Sequence, residues 1–260
     1  MLIVGIFGCI MDALILCGGF ATRLEPITLF MPKPLLPIGG RPLLDHIIDS
    51  VASSDVDKIV IATNKRFSDQ FEYWMESKIS KGFGKKLELV VEPSLHNNTK
   101  FGAIKGIKYA IEKANLNDDL LIVAGDNYYD FSIMDVINEF NTKKTPTLCV
   151  YDVSSIEEAK KFGVIGMENG VITDFSEKPS MPKSTIISTG IYVFDKEQIK
   201  KIDEYLKDGN NPDSPGYFIQ WLIKNTKTHG VVGKGTWIDI GTIDSYKKVF
   251  ALKHKEDLPD

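Results

Sequence analysis

Four short, nearly unbroken apolar runs, with a helical pattern between each and the next, restrict this chain more than any other feature. The runs are residues 13–17, 58–62, 87–91 and 120–124. Each has the length of a strand, and an unbroken apolar run is what a strand needs when both faces of its sheet are covered. Helical patterns fill the gaps at 43–53, 68–79 and 102–114. In the last of these, Ile104, Ile107, Ala110 and Ile111 fall on one face. This β-α-β order predicts an α/β fold with a parallel sheet and right-handed crossovers.

The second half changes character. Strands are expected at 147–152, 163–167, 171–175 and 186–194, with few helices among them. Glu168-Asn169-Gly170 reads as a hairpin turn, because Asn-Gly tolerates the positive φ that a tight hairpin demands. Late helices are expected at 196–207, 217–225 and 245–255. No repeat, low-complexity tract or Ser/Gly-rich linker divides the halves. The expectation is one composite domain over 11–260, with one half at about 11–142 and a β-rich half at 143–260. Residues 1–10 are apolar but brief and lack the positive flank of a secretory signal. Met11 directly precedes the first strand, so this segment is expected to lie outside the fold, as an extension or a misassigned start.

The 260 residues carry a net charge of −4. That balance argues against nucleic acid or an anionic membrane as partner. A phosphate ligand would have to be held by a few local cations and backbone N–H groups. The 3 cysteines form no C-x-x-C pair, so neither a disulfide framework nor a zinc site is expected, and a reducing cytoplasm fits best. No apolar run is long enough to span a membrane. Self-association into a homo-oligomer is left open.

Chemistry concentrates after the first strand, at Gly18-Gly19-Phe20-Ala21-Thr22-Arg23-Leu24. Paired glycines permit a tight turn and let backbone N–H groups approach an anion. Arg23 can meet phosphate oxygens through its fork. The spacing matches neither a dinucleotide fingerprint nor a Walker A loop, and a plain strand-to-loop turn explains the segment equally well. Ten residues on, Lys33 sits in Met31-Pro32-Lys33-Pro34-Leu35-Leu36-Pro37. Flanking prolines leave it little backbone entropy to lose. Asp126, in Ala124-Gly125-Asp126-Asn127, closes the fourth strand, where α/β folds bind ligands. It suits Mg²⁺, and it equally suits a turn or a helix cap near Ser132. Asp239, in Trp237-Ile238-Asp239-Ile240-Gly241-Thr242, is a second such carboxylate, or an N-cap for the last helix.

The run GGFATRLEPITLFMPKPLLP resembles the N-terminal signature of the sugar-1-phosphate nucleotidylyltransferases, and the motifs follow in family order over most of residues 12–248. The resemblance implies a Rossmann-like three-layer α/β/α fold with a mainly parallel central sheet and a β-rich sugar-binding half. It implies Arg23 and Lys33 as catalytic residues. It implies Leu16, Gly18, Gly19, Ala21, Thr22, Arg23, Gly102 and Asp126 around the nucleotide, and Gly163, Glu177, Lys178 and Gly190 around the sugar phosphate. Asp126 and Asp239 become the ligands of a Mg²⁺ cofactor, and the partners a nucleoside triphosphate and a sugar 1-phosphate.

Two departures stand out. Ala21 replaces a frequent glycine, which is tolerable if its φ is negative. Lys100 and Phe101 stand where smaller residues are usual, which clouds the choice of base. The Gly125-Asp126-Asn127 sequence leans towards dTTP or UTP with glucose 1-phosphate, with mannose-1-phosphate guanylyl transfer as the alternative. A non-catalytic subunit that only binds nucleotide sugar is a reading of another class. Some relatives carry a C-terminal β-helix, and none is expected here, since the chain ends soon after Asp239.

Overall fold

The computed structural model describes residues 11–256, so the expectation for residues 1–10 lies outside it. The strands are β1 Met11–Leu16, β2 Pro37–Ile38, β3 Arg41–Pro42, β4 Lys58–Asn64, β5 Lys86–Glu92, β6 Asp119–Ala124, β7 Asn127–Tyr129, β8 Thr147–Asp152, β9 Gly163–Glu168, β10 Val171–Glu177, β11 Ile186–Phe194, β12 His229–Val232 and β13 Trp237–Asp239. The helices are α1 Leu43–Ala52, α2 Ser68–Ser80, α3 Ala103–Ala114, α4 Met134–Lys143, α5 Ile156–Ala159, α6 Lys196–Lys207, α7 Pro215–Leu222 and α8 Ile243–Glu256.

One nine-stranded sheet runs through both halves in the order β5-β4-β1-β6-β11-β8-β12-β10-β9. Its first four strands are mutually parallel, as the β-α-β pattern predicts. The sheet as a whole is mixed rather than mainly parallel. β11 runs antiparallel to β6 and β8, and β10 antiparallel to β9 and β12; only β8 and β12 pair parallel there. The cause is local. β9 and β10 are joined by the Asn169-Gly170 hairpin, with φ of 49° and 78°, and a hairpin connects only antiparallel strands.

Successive residues of β1 enter opposite faces of the sheet. Ala13 and Ile15 join the core formed with Ile47 of α1, Phe71 of α2 and Phe140 of α4. Leu14 joins the core formed with Ile107 of α3, Ile202 of α6 and Phe218 of α7. Burial of each such side chain stabilises the fold by about 1.5–3 kcal/mol before entropy is counted. Several short elements were not expected from the sequence, among them β7, β13 and β12, a four-residue strand inserted between β8 and β10; α4, which the sequence suggested only through a cap near Ser132, begins at Met134. Gly230 within β12 has a packing reason, because a Cβ there would come within 2.7 Å of Met167 Sδ.

Candidate active site

The loop after β1 leaves the sheet between two parallel neighbours. Cys17 N donates to Ala62 O at 2.7 Å, and Gly125 N donates to Leu16 O at 2.9 Å. Asn64 Nδ2 then holds Gly18 O at 3.1 Å. A Cβ built on Gly18 or Gly19 would meet nothing within 4 Å, so packing does not demand glycine at either position. Their bare backbone instead keeps a cleft open. Ala21 has φ 48° and ψ 42°, contrary to the negative φ on which its tolerance was premised. The left-handed turn costs an alanine about 1–2 kcal/mol. It is held by two bonds to Ala21 O, from Leu24 N and from Thr28 Oγ1, each at 2.9 Å.

Lys33 begins a short 3₁₀ turn after Pro32, whose extended φ/ψ of −65° and 143° aims the chain inward. Its side chain is buried. Nζ donates to Asp126 Oδ2 at 2.9 Å and to Asp239 Oδ1 at 3.3 Å. The two carboxylates are far apart in sequence and are brought together by the small β7–β13 ladder, in which Asp239 pairs with Asn127. Asp239 is therefore in a strand. The start of α8 is occupied instead by Thr242, whose Oγ1 accepts from Ser245 N at 3.2 Å. Burial pushes the Asp239 carboxyl above the usual carboxylate range. Lys33 pulls it back, and the charge of Asp126 pushes it up again. Cys17, beside them, is buried, and burial together with the Asp126 charge pushes its thiol well up, so it is a neutral wall and not a nucleophile.

Two adjoining clefts open at this end of the sheet. One, of about 310 Å³, is lined by Ala21, Thr22, Arg23, Lys33 and Asp126, among others. The other, of about 210 Å³ and mostly apolar, is lined by Leu16, Ala62, Val90, Glu92, Gly102 and Tyr109, among others. Gly18 lines the second cleft, and Leu16, Gly19 and Lys100 line both. Every residue expected around the nucleotide thus lines one cleft or the other.

The residues expected around the sugar phosphate line neither cleft. Glu177 is held by Ser214, whose Oγ donates to Oε1 at 2.9 Å. Gly216 makes room for it, since a Cβ there would press on Glu177 Oε2, while a Cβ on Gly163 would strike the Phe175 ring first. Lys178 is exposed, has φ 47°, and puts Nζ 3.9 Å from Glu177 Oε1. Gly190 was expected to leave room for ligand. Its φ of 82° lies at an irregularity in β11, and the space beside it is filled by Ala124, whose Cβ would be 2.7 Å from a Cβ on Gly190.

Sequence reading missed Glu92 and the 210–214 loop. Glu92 ends β5, so the rule that ligands gather at the carboxyl ends of parallel strands would have found it. Its Oε1 accepts from Ser94 Oγ at 2.6 Å and from Phe101 N at 2.9 Å. The 210–214 loop, Asn-Asn-Pro-Asp-Ser, reads locally as a turn, but nothing local says that it reaches the cleft. Pro212 O accepts from Ile104 N at 2.9 Å, and Asp213 closes the smaller cleft. Gly102, with φ 83°, has no space for a Cβ against Pro212 O. Among the described residues, no group of three or more His, Cys, Asp or Glu side chains could hold a metal. Asp126 lines the larger cleft, and the partly buried Asp239 stands behind it across Lys33; two such hard carboxylates nevertheless suit Mg²⁺, which fills its remaining positions with water and phosphate oxygens.

The family model described as nucleotidyl transferase matches residues 12–256. This chain belongs to the nucleotidyl transferase family. A protein of Sulfolobus acidocaldarius provisionally named mannose-1-phosphate guanyltransferase is 30% identical over 92% of this chain and 62% of its own length. The bifunctional protein GlmU of Methanocaldococcus jannaschii is 31% identical over 89% of this chain and 51% of its own. The chain therefore spans only part of these relatives. A crystal structure provisionally named glucose-1-phosphate thymidylyltransferase, from Bacillus anthracis, superimposes with a TM-score of 0.82 at 26% identity, covering 96% of this chain and 98% of the other.

Proposed function

We propose that this nucleotidyl transferase joins the nucleoside monophosphate of a triphosphate to a sugar 1-phosphate and releases pyrophosphate. The observation that supports it most is the buried Lys33 ammonium between Asp126 and Asp239, on the wall of a cleft formed by the glycine loop and Arg23. A sugar-phosphate oxygen would attack the α-phosphorus in line. That nucleophile is already an anion, so the protein must supply alignment and charge neutralisation rather than a strong base. Arg23 and the N–H groups of the 18–22 loop hold the departing pyrophosphate. Lys33 offsets charge where the two phosphates approach. Lys178 anchors the sugar phosphate, and Glu177 accepts from sugar hydroxyls. Asp126 and Asp239 would hold Mg²⁺, which when bound neutralises charge on the triphosphate.

The resemblance at Gly125-Asp126-Asn127 leans towards dTTP or UTP with glucose 1-phosphate. One observation favours GTP instead. Glu92 stands in the apolar cleft, and an ionised carboxylate only accepts hydrogen bonds. Guanine offers two adjacent donors, the ring N–H and the exocyclic amino group, whereas thymine and uracil offer one N–H between two carbonyls that a carboxylate repels. The test is pyrophosphate release with Mg²⁺ across five nucleoside triphosphates and several sugar 1-phosphates. Release that needs both substrates supports the reaction and names base and sugar. No release from any pair, with the protein folded, turns the reading to a regulatory subunit. No helix among the described residues is long and apolar enough to cross a membrane, and we place the reaction in the cytoplasm on the cysteine usage.

A further inference from the structure

Lys33 is gripped by the two groups that a metal cation would use. Its side chain is 7% exposed, and its Nζ lies 2.9 Å from Asp126 and 3.3 Å from Asp239. Its backbone is equally fixed. Prolines flank it, Leu35 N donates to Pro32 O at 2.9 Å, and Leu36 N donates to Lys33 O at 3.1 Å. What remains free is the four-carbon stem, which carries a compact point charge. The single ammonium offsets one of the two carboxylate charges and so weakens the repulsion between Asp126 and Asp239. A divalent ion would need the same two carboxylates, and it would have to enter against a like charge lodged between them. The cleft lined by Lys33, Thr22 and Arg23 offers the ammonium a second place to go once an anion fills it.

We infer that Lys33 is a built-in counter-ion that closes the Asp126–Asp239 pair to a divalent cation until nucleotide phosphates draw its ammonium away. The inference rests on the reaction proposed above and adds an order to it: the cation enters with the nucleotide, not before it. Lys33 then serves twice, first as the stand-in charge of the free enzyme and afterwards as a phosphate contact.

Mn²⁺ is the probe, its free fraction read by electron paramagnetic resonance on the full chain without nucleotide. Lys33→Met keeps the bulk of the stem and removes the charge; Lys33→Gln serves if the first variant does not fold, as judged by circular dichroism. The neutral variant is expected to bind Mn²⁺ at least tenfold more tightly than the parent. Lys33→Arg, which keeps the charge, should not, and adding Asp239→Asn to the neutral variant should abolish the gain. Equal Mn²⁺ affinity in the parent and the folded neutral variant overturns the inference. Pyrophosphate release by the parent is read separately. An active parent with equal affinities sinks only the exclusion, while a tenfold gain with an inactive parent upholds the exclusion and sinks the reaction.

Discussion

Ala21 is a residue under strain at the place where strain is most useful. Its left-handed turn is followed by Thr22 and Arg23, and all three line the larger cleft. Ala21→Gly should relieve that strain while giving back some unfolded-state entropy, for a net stabilisation of up to about 1 kcal/mol in urea unfolding. Arg23→Lys should lower kcat/KM by about 10–100-fold, because lysine cannot reproduce a forked contact. A wild-type rate in the variant would remove Arg23 from the pyrophosphate. Glu92→Gln presents a donor and an acceptor where the parent presents acceptors only. If guanine is the base, the change should lower kcat/KM for GTP relative to UTP, by about tenfold for one lost charged hydrogen bond. An unchanged ratio would take Glu92 out of base choice.

The elements hold the site by close approach. β1 and the turn after β6 touch at Gly125, where a Cβ would stand 2.5 Å from Cys17 Sγ and 2.7 Å from Leu16 O. Gly125→Ala should therefore separate the glycine loop from Asp126. It should cost about 1–3 kcal/mol in stability and reduce activity more than the stability loss explains. Thermal melting and turnover, measured on the same preparation below its melting range, check both. At this scale the β-α-β half was readable because the inner strands β4, β1 and β6 are apolar on both faces, the edge strand β5 on one, and each crossover helix has one apolar stripe. Elements fixed by contacts far along the chain were not readable. β12 is too short to show a pattern, and its place between β8 and β10 comes from pairings with residues many positions away.

Across the molecule, a buried charge cluster at the start of the sheet has a measurable cost. Asp12 of β1 is almost fully buried, 3.9 Å from Lys58 of β4, which also lies 3.8 Å from Glu88 of β5. Burial raises the Asp12 carboxyl above its ordinary value, with Lys58 only partly offsetting it. A carboxyl raised on folding favours the native state while protonated, and that contribution is lost as pH rises through its folded value. Asp12→Asn should therefore melt higher than the parent at pH 7, and the gap should narrow as pH falls towards 4. A constant gap would mean that the titration of Asp12 is not its source. The sequence alone determined the parallel half, the Asn169-Gly170 hairpin and the glycine loop, because each rests on residues close together in the chain. Resemblance to the family picked out Lys33, Asp126 and Asp239, but neither it nor local pattern could say that Lys33 would lie between the two carboxylates. That arrangement comes from the β7–β13 ladder, which joins segments more than a hundred residues apart. The mixed half of the sheet, the closure of the smaller cleft by Asp213 and the filling of the space beside Gly190 were likewise tertiary decisions. Each depends on which distant backbone packs there, and no local pattern encodes that.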